Sequence, residues 1–469
     1  MSIVQKIEYN SDNKYFAGFL QNMINESSLN ASVEQNNNEI VLTIDEKDEN
    51  ALATFSDLTS KYLPHSLFLG EIKTNTSDVE ITSSQVDSDH YDITLCTRCL
   101  EELQSPSSEH YLDDNLKCSH YNNTTPDNII DNNTFTPNFS EGSTLLVVDP
   151  TKISDLFIIT KDEHKALFSI EKPTIKVTIK DEELKELTGK KFINIKSTYN
   201  MKSTLAAINA KDSELSYIFF NDLNPSKVVV VQKNTSIIRD NKFSKKLENL
   251  DSDKVLNRFL NIVKETPNPK NAIGVNLSAT NGISFLVLNE VASKKVITFD
   301  EFILKDVLLD MLNDPIRGKL LKNYAEKYPE KYDNLKSNDY DIYGTLCEIL
   351  DLEEKNFESL SDKAFEFHGN GGLKIDMNFK DGGFDYSSLI GSVISFKLAD
   401  VETHYLAYSV FEAYGDMIIS TLNQLKTKFK ISNFVMMGDM FENSIIYSRI
   451  LSKFQLSNPH FSKSIAFDD

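Results

Sequence analysis

The sequence predicts a multidomain chain of mixed α/β and α+β class, and three observations carry that prediction. Its 469 residues are more than one core holds and suggest about three or four domains. Forty per cent of them are hydrophobic, enough to fill packed cores. Strand-length apolar runs alternate with helix-period segments along most of the chain, broken by one polar, cysteine-bearing stretch.

Residues 1–75 begin with a strand at 3–9, then a helix over 15–24. The polar turn 35–39 separates two strands, the second at 40–44; a helix over 51–62 and a strand at 67–72 complete a βαββαβ order. That order predicts a ferredoxin-like sandwich. Residues 76–143 are rich in Ser, Asp, Asn and Thr and read as loop, above all 121–142. Residues 144–240 form an α/β block with strands at 144–148, 156–159, 174–179, 216–220 and 227–231. In 241–469, a helix over 251–266 precedes a strand–turn–strand at 273–288 that turns at Thr280-Asn281-Gly282. Helices follow at 304–328, 343–352 and 406–425, then a buried strand at 434–437 and a closing helix at 442–454.

Seventy acids against 49 bases give a net charge of -21. Such a field repels phosphate backbones and argues against nucleic-acid binding. It also opposes anionic metabolites unless a local basic or amide-lined pocket overrides it. There is no apolar leader core at the N-terminus and no membrane-length apolar run, so a cytoplasmic location is expected and no membrane partner.

The four cysteines, Cys96, Cys99, Cys118 and Cys347, do not form a secreted disulfide framework. Cys96 and Cys99 make one Cys-x2-Cys knuckle. The second has Cys118, with Tyr121 where its partner would stand. His120 is the candidate fourth ligand of a Cys3His zinc site, His110 is the alternative, and a metal-free loop is the plain reading beside both. A closed site of this kind is structural. Cys347 lies on an apolar helix face and reads as a core thiol.

The run LCTRCLEEL…KCSHY resembles the first zinc-finger element of HypF-type hydrogenase maturation proteins. These are carbamoyltransferases built from acylphosphatase-like, zinc-finger, YrdC-like and TsaD-like (actin-fold) parts. They use carbamoyl phosphate and ATP to load a partner protein's cysteine. The resemblance implies an acylphosphatase-like domain at 1–75, a zinc-finger-like segment and linker at 76–143, a YrdC-like remnant at 144–240 and a TsaD-like actin fold at 241–469.

Under that resemblance most of the chemistry is altered. The family's GVGFR loop needs amides and an Arg for phosphate. Here Phe16 aligns with the Arg, Lys14 is the nearby cation, and Asn36, Asn37 or Asn38 covers the Asn position. The YrdC-like block shows an echo at Ser169, Lys172, Pro173 and Lys176, which reads as a solvated face without a site. Gly274, Asn276 and Ser278 stand where the family has FDGTGYG, and residues 241–272 contain no His for the expected HH-x-H metal motif. The segments around Arg317 and Gly344 resemble REPWR and FDAVAALLGL. Gly438, Asp439 and Asn443 stand in LSGGVFQN, with Asp439 replacing a glycine beside the phosphates. The family continues with NDGGISLGQ where this sequence stops, and Asp468 stands as a remnant of that ligand. His368 to Gly372 and the Asp381-Gly382-Gly383 run read as loop and turn, not as a P-loop.

The expected site is therefore Cys96, Cys99, Cys118 and His120 for zinc, with Gly274, Asn276, Gly438 and Asn443 as nucleotide-site remnants and no catalytic residue. The leading expectation is a catalytically degenerate HypF-like protein that binds hydrogenase accessory factors. The alternatives are an active carbamoyltransferase using ATP and Mg²⁺ held by residues such as Asp439, Glu442 and Asp468, and a zinc-stapled interaction module without a hydrogenase link.

Overall fold

The structure, a computed structural model, describes residues 2–36, 38–77, 81, 86, 92–122, 132–223, 225–240, 242–290, 292–380, 383–454, 457 and 459–468. The chain divides into two compact units, Met1–Lys246 with Lys463–Phe467, and Leu247–Ser462 with Asp468.

The first unit starts with β1 (Ser2–Tyr9), α1 (Tyr15–Ser27), β2 (Ala31–Asn36), β3 (Glu39–Ile44), α2 (Glu49–Tyr62) and β4 (Leu69–Ser77). The sheet order β2-β3-β1-β4, all antiparallel, is the ferredoxin-like sandwich that the element order predicts. The end of β1 alternates, placing Ile7 and Tyr9 in one apolar cluster with Phe16, Phe19, Leu20 and Met23 of α1. The cysteine segment is less irregular than its composition suggests. It carries α3 (Thr97–Gln104), which buries Cys99 and Leu103 and pairs Arg98 with Glu102 at 3.2 Å.

The middle block contains β5 (Phe135–Thr136), β6 (Thr144–Val147), α4 (Ile153–Leu156), β7 (Phe157–Ile158), α5 (Lys161–Leu167), β8 (Ile175–Ile179), α6 (Glu182–Thr188), β9 (Phe192–Lys196), α7 (Met201–Asp212) and β10 (Tyr217–Phe220). A hairpin of β11 (Lys227–Val231) and β12 (Asn234–Arg239) follows. The six-stranded sheet runs β5-β10-β6-β9-β8-β7, with β6 and β9 parallel. One apolar cluster runs from the sandwich through Leu95, Leu103 and Tyr121 to Ile175, Ile195 and Phe219, so the cysteine segment is packed rather than a free linker.

The second unit contains α8 (Lys254–Val263), β13 (Ala272–Ser278), β14 (Gly282–Leu288), β15 (Ser293–Thr298), α9 (Leu304–Asn313), α10 (Pro315–Lys327), α11 (Pro329–Ser337), α12 (Ile342–Leu350) and α13 (Phe357–Phe365). A short hairpin of β16 (Phe379–Lys380) and β17 (Gly383–Phe384) precedes α14 (Tyr386–Leu398), α15 (Thr403–Phe429), β18 (Phe434–Met437), α16 (Ser444–Lys453) and β19 (His460–Phe461). Its sheet runs β15-β14-β13-β18-β19, antiparallel through β13–β14 and parallel from β13 through β18 to β19. The single helix expected over 304–328 is two, because Pro315 lacks the N–H to continue α9 and Asp314 caps α10 by accepting from Ile316 and Arg317 N–H. Asp381 and Gly382 lie outside the described residues. No helix among the described residues is long and apolar enough to cross a membrane.

Candidate metal centre and phosphate-site remnants

Cys96 precedes α3, Cys99 lies in its first turn, and Cys118 sits in a turn that reverses toward α1. All three are buried, and their sulfurs lie within 4.8 Å of one another. A tetrahedral zinc with Zn–S near 2.3 Å needs edges of about 3.8 Å, so small adjustments close the set. His120, 1% exposed, turns Nδ1 to Cys96 Sγ at 3.3 Å. Its Nε2 meets Glu26 Oε2 at 2.8 Å, and its ring stacks on Tyr62 with centroids 4.7 Å apart. The Tyr121 N–H donates to Cys118 Sγ at 3.3 Å. The thiols conflict electrostatically: hydrogen bonds from Cys96 and Cys99 favour the Cys118 thiolate, while those with Cys118 and Cys96 push Cys99 well above the usual thiol range. Hydrogen bonding to Cys118 and Cys96 also holds His120 up to about 10. Three close thiols are donors that zinc takes, and His120 Nδ1, beside Cys96 but outside the group of atoms that all lie within 4.8 Å, is the candidate fourth. His110 lies apart from this arrangement, beside Asp113 at 3.5 Å on the surface.

The loop after β1, where the resemblance expects a phosphate loop, is filled by the protein itself. Ser11 Oγ donates to the Phe243 carbonyl at 2.8 Å, and Asn13 Nδ2 donates to it at 2.9 Å. Phe16 is buried and stacks on Tyr9, while Lys14 is exposed. Asn37 lies outside the described residues.

The turn between β13 and β14 is likewise occupied. Asp439, following Gly438, accepts from the Ala279 N–H at 2.8 Å. Ser278 Oγ accepts from the Thr280 and Asn281 N–H groups at 3.3 and 3.0 Å. Asp468 then accepts from Ser278 Oγ and Asn281 Nδ2, both at 3.1 Å. Among the described residues, the cysteine trio is the one group of three or more ligand side chains close enough for a common ion. Asp439, Glu442 and Asp468 do not converge as a triad.

A cavity of about 450 Å³ opens in the first unit, and sequence reading missed it. Lys61, His65, Lys172 and Lys211 line it with the hydroxyls of Ser197, Thr198 and Thr204, and none of its described lining residues is acidic. Lys172 adopts φ +46° before Pro173, a costly conformation that aims it locally. Its Nζ donates to the Phe168 carbonyl at 3.2 Å, and burial lowers the ammonium to about 8. Burial, then Lys165, also lowers His65. The buried Lys196–Asp222 pair (2.9 Å) closes the strand end below Ser197. No local spacing announces the cavity, because its cations come from α2, the loop before β8 and α7.

The fold is similar to that of HypF. A crystal structure of full-length HypF in the phosphate- and nucleotide-bound form matches all of this chain and 96% of that one, with TM-score 0.56 and 11% identity. T. kodakarensis HypF matches all of this chain and 97% of that one, with TM-score 0.62 and 12% identity. No family model matches the chain, and no curated protein matches it in sequence. At such identity the likeness to HypF is one of fold.

Within that HypF-like fold, each of the four positions expected at a nucleotide site makes a local packing or hydrogen-bond contact. A Cβ on Gly274 would stand 2.5 Å from the Phe259 ring, so the glycine lets α8 close on β13. Asn276, buried, donates to the Gly282 carbonyl at 2.9 Å and ties the hairpin. Gly438 has φ +111°, and a Cβ there would stand 2.3 Å from the Leu277 carbonyl. Asn443 caps α16 through the Ile445 and Ile446 N–H groups and donates to Ser361 Oγ at 2.8 Å. Cys347 donates to the Asn356 carbonyl, and burial pushes its thiol up to about 12, which suits a core residue.

Proposed function

We propose that the chain is a catalytically degenerate HypF-like protein that acts in the cytoplasm as a binding or scaffold partner in [NiFe] hydrogenase maturation or its regulation. The observation that carries this reading is the Asp439 carboxylate on the Ala279 N–H, in the hairpin turn where the resemblance puts nucleotide phosphates. A triphosphate arriving there must displace one anion and sit beside another, Asp468. In a partly buried site that repulsion costs about several kcal/mol. Zinc at Cys96, Cys99, Cys118 and His120 would serve as a structural cross-link that closes the segment between α3 and the Cys118 turn on itself. Hydrogenase accessory factors are the partners this reading names. The test is ATP cleavage by the pure protein supplied with carbamoyl phosphate and Mg²⁺. The expected result is none above background, and sustained turnover overturns the reading.

The acid-free cavity favours one addition. The HypF crystal cited above holds phosphate and nucleotide, and the cations around Lys172 suit a phosphorylated metabolite. Calorimetry with phosphate, AMP and ATP should give binding in the wild type that Lys172→Ala removes. Equal heats from both proteins reject the addition.

A further inference from the structure

We infer that Glu26, a residue of the sandwich helix α1, is a positioning residue for the metal centre: with zinc bound, it holds the His120 proton on Nε2 and leaves Nδ1, which faces Cys96, to the metal. The inference rests on the zinc reading above and goes beyond it by assigning a residue outside the cysteine segment. One residue separates Cys118 from His120, so both can reach a common ion only if the imidazole folds back and offers its nearer nitrogen. Nδ1 faces Cys96 Sγ at 3.3 Å, as that requires. The outward Nε2 then needs an acceptor, and Glu26 Oε2 stands 2.8 Å from it. An imidazole that ligates a metal through one nitrogen commonly donates its other N–H to a carboxylate, which sets the tautomer and raises ligand basicity.

A second observation from the same helix supports the assignment. One turn before Glu26, Asn22 Nδ2 donates to the His120 carbonyl at 3.0 Å. Helix α1 thus grips both the backbone and the ring of His120, while Tyr62 of α2 covers the ring face. Tyr121, next in sequence, donates its hydroxyl to the Tyr62 carbonyl and packs its ring 4.5 Å from Phe19, also on α1. The fourth ligand is therefore placed by the sandwich, whereas the three thiols come from the loop and α3. Metal binding and docking of that segment onto α1 become one event.

The experiment uses the full-length chain, zinc-loaded, with Glu26→Gln and His120→Ala as variants. Glu26 lies on an exposed helix face and Gln is nearly isosteric, so folding is preserved. Chelator competition should show zinc affinity lowered about 10- to 100-fold in Glu26→Gln, and at least as far in His120→Ala. Nitrogen-15 spectra of zinc-loaded wild type should show His120 metal-bound at Nδ1 and protonated at Nε2. If Glu26→Gln stays within about twofold of wild type while His120→Ala weakens binding, the role of Glu26 falls and the metal site stands. A proton on Nδ1 overturns the assignment outright, and a wild type that holds no zinc overturns both it and the metal reading.

Discussion

At Ala279 the backbone N–H points to Asp439 Oδ1, and a part-buried amide with a charged partner loses about 1–3 kcal/mol when that partner is removed. Asp439→Ala should therefore lower urea-unfolding stability by about that amount, with Asp439→Asn closer to wild type because it keeps an acceptor. Lys172 gives a prediction of definite sign. Its ammonium is held at about 8, below the ordinary lysine value of about 10.4. Between those values the unfolded chain binds more protons than the folded one, so this residue's contribution to stability rises with pH across that window. Below about 8 the folded chain carries the buried charge and its penalty. Lys172→Met should stabilise the protein at pH 7. Anion binding in the cavity should weaken as pH rises through 8, and calorimetry in buffers of different ionisation heat should show proton uptake on binding near that pH. The sequence made Cys96, Cys99 and Cys118 conspicuous by spacing. It put His120 ahead of His110 but could not show what holds the ring, because that depends on Glu26 and Tyr62, distant in the chain.

Among the elements, legibility follows burial. β18 reads off directly since all four of its residues are apolar and buried, and the β13–β14 turn is announced by Asn281-Gly282. α3 was hidden because only Cys99 and Leu103 of its eight residues are buried, and α7 because its inner face is made partly of Ser203, Thr204 and alanines. β9 has a five-residue alternation beside a Lys-rich run, too short a signal to stand alone. Close packing decides the glycines. Gly274→Ala drives a methyl into the Phe259 ring and should cost about 1–3 kcal/mol in chemical unfolding. Gly438→Ala should cost more, since it adds a positive-φ penalty to a contact with rigid backbone at Leu277. In the cysteine segment, chelation of bound metal should speed amide exchange across α3 while leaving β13 and β18 protected, as measured by mass spectrometry.

On the scale of the whole chain, the charge of -21 disfavours anions generally, and under the proposed addition the cations that line the cavity of the first unit would override that field locally. In the second unit the corresponding override is absent at the β13–β14 turn, where side chains of the protein already satisfy the amides. The overall architecture was legible because the apolar patterning marks its strands and helices. The cavity was not legible, because α2, the loop before β8 and α7 meet only in three dimensions. A crystal grown with ATP and Mg²⁺ tests the central claim most directly. The account predicts a turn at 278–282 free of triphosphate, with Asp439 still accepting from the Ala279 N–H. Ordered triphosphate density on those amides, with Asp439 displaced, would contradict it.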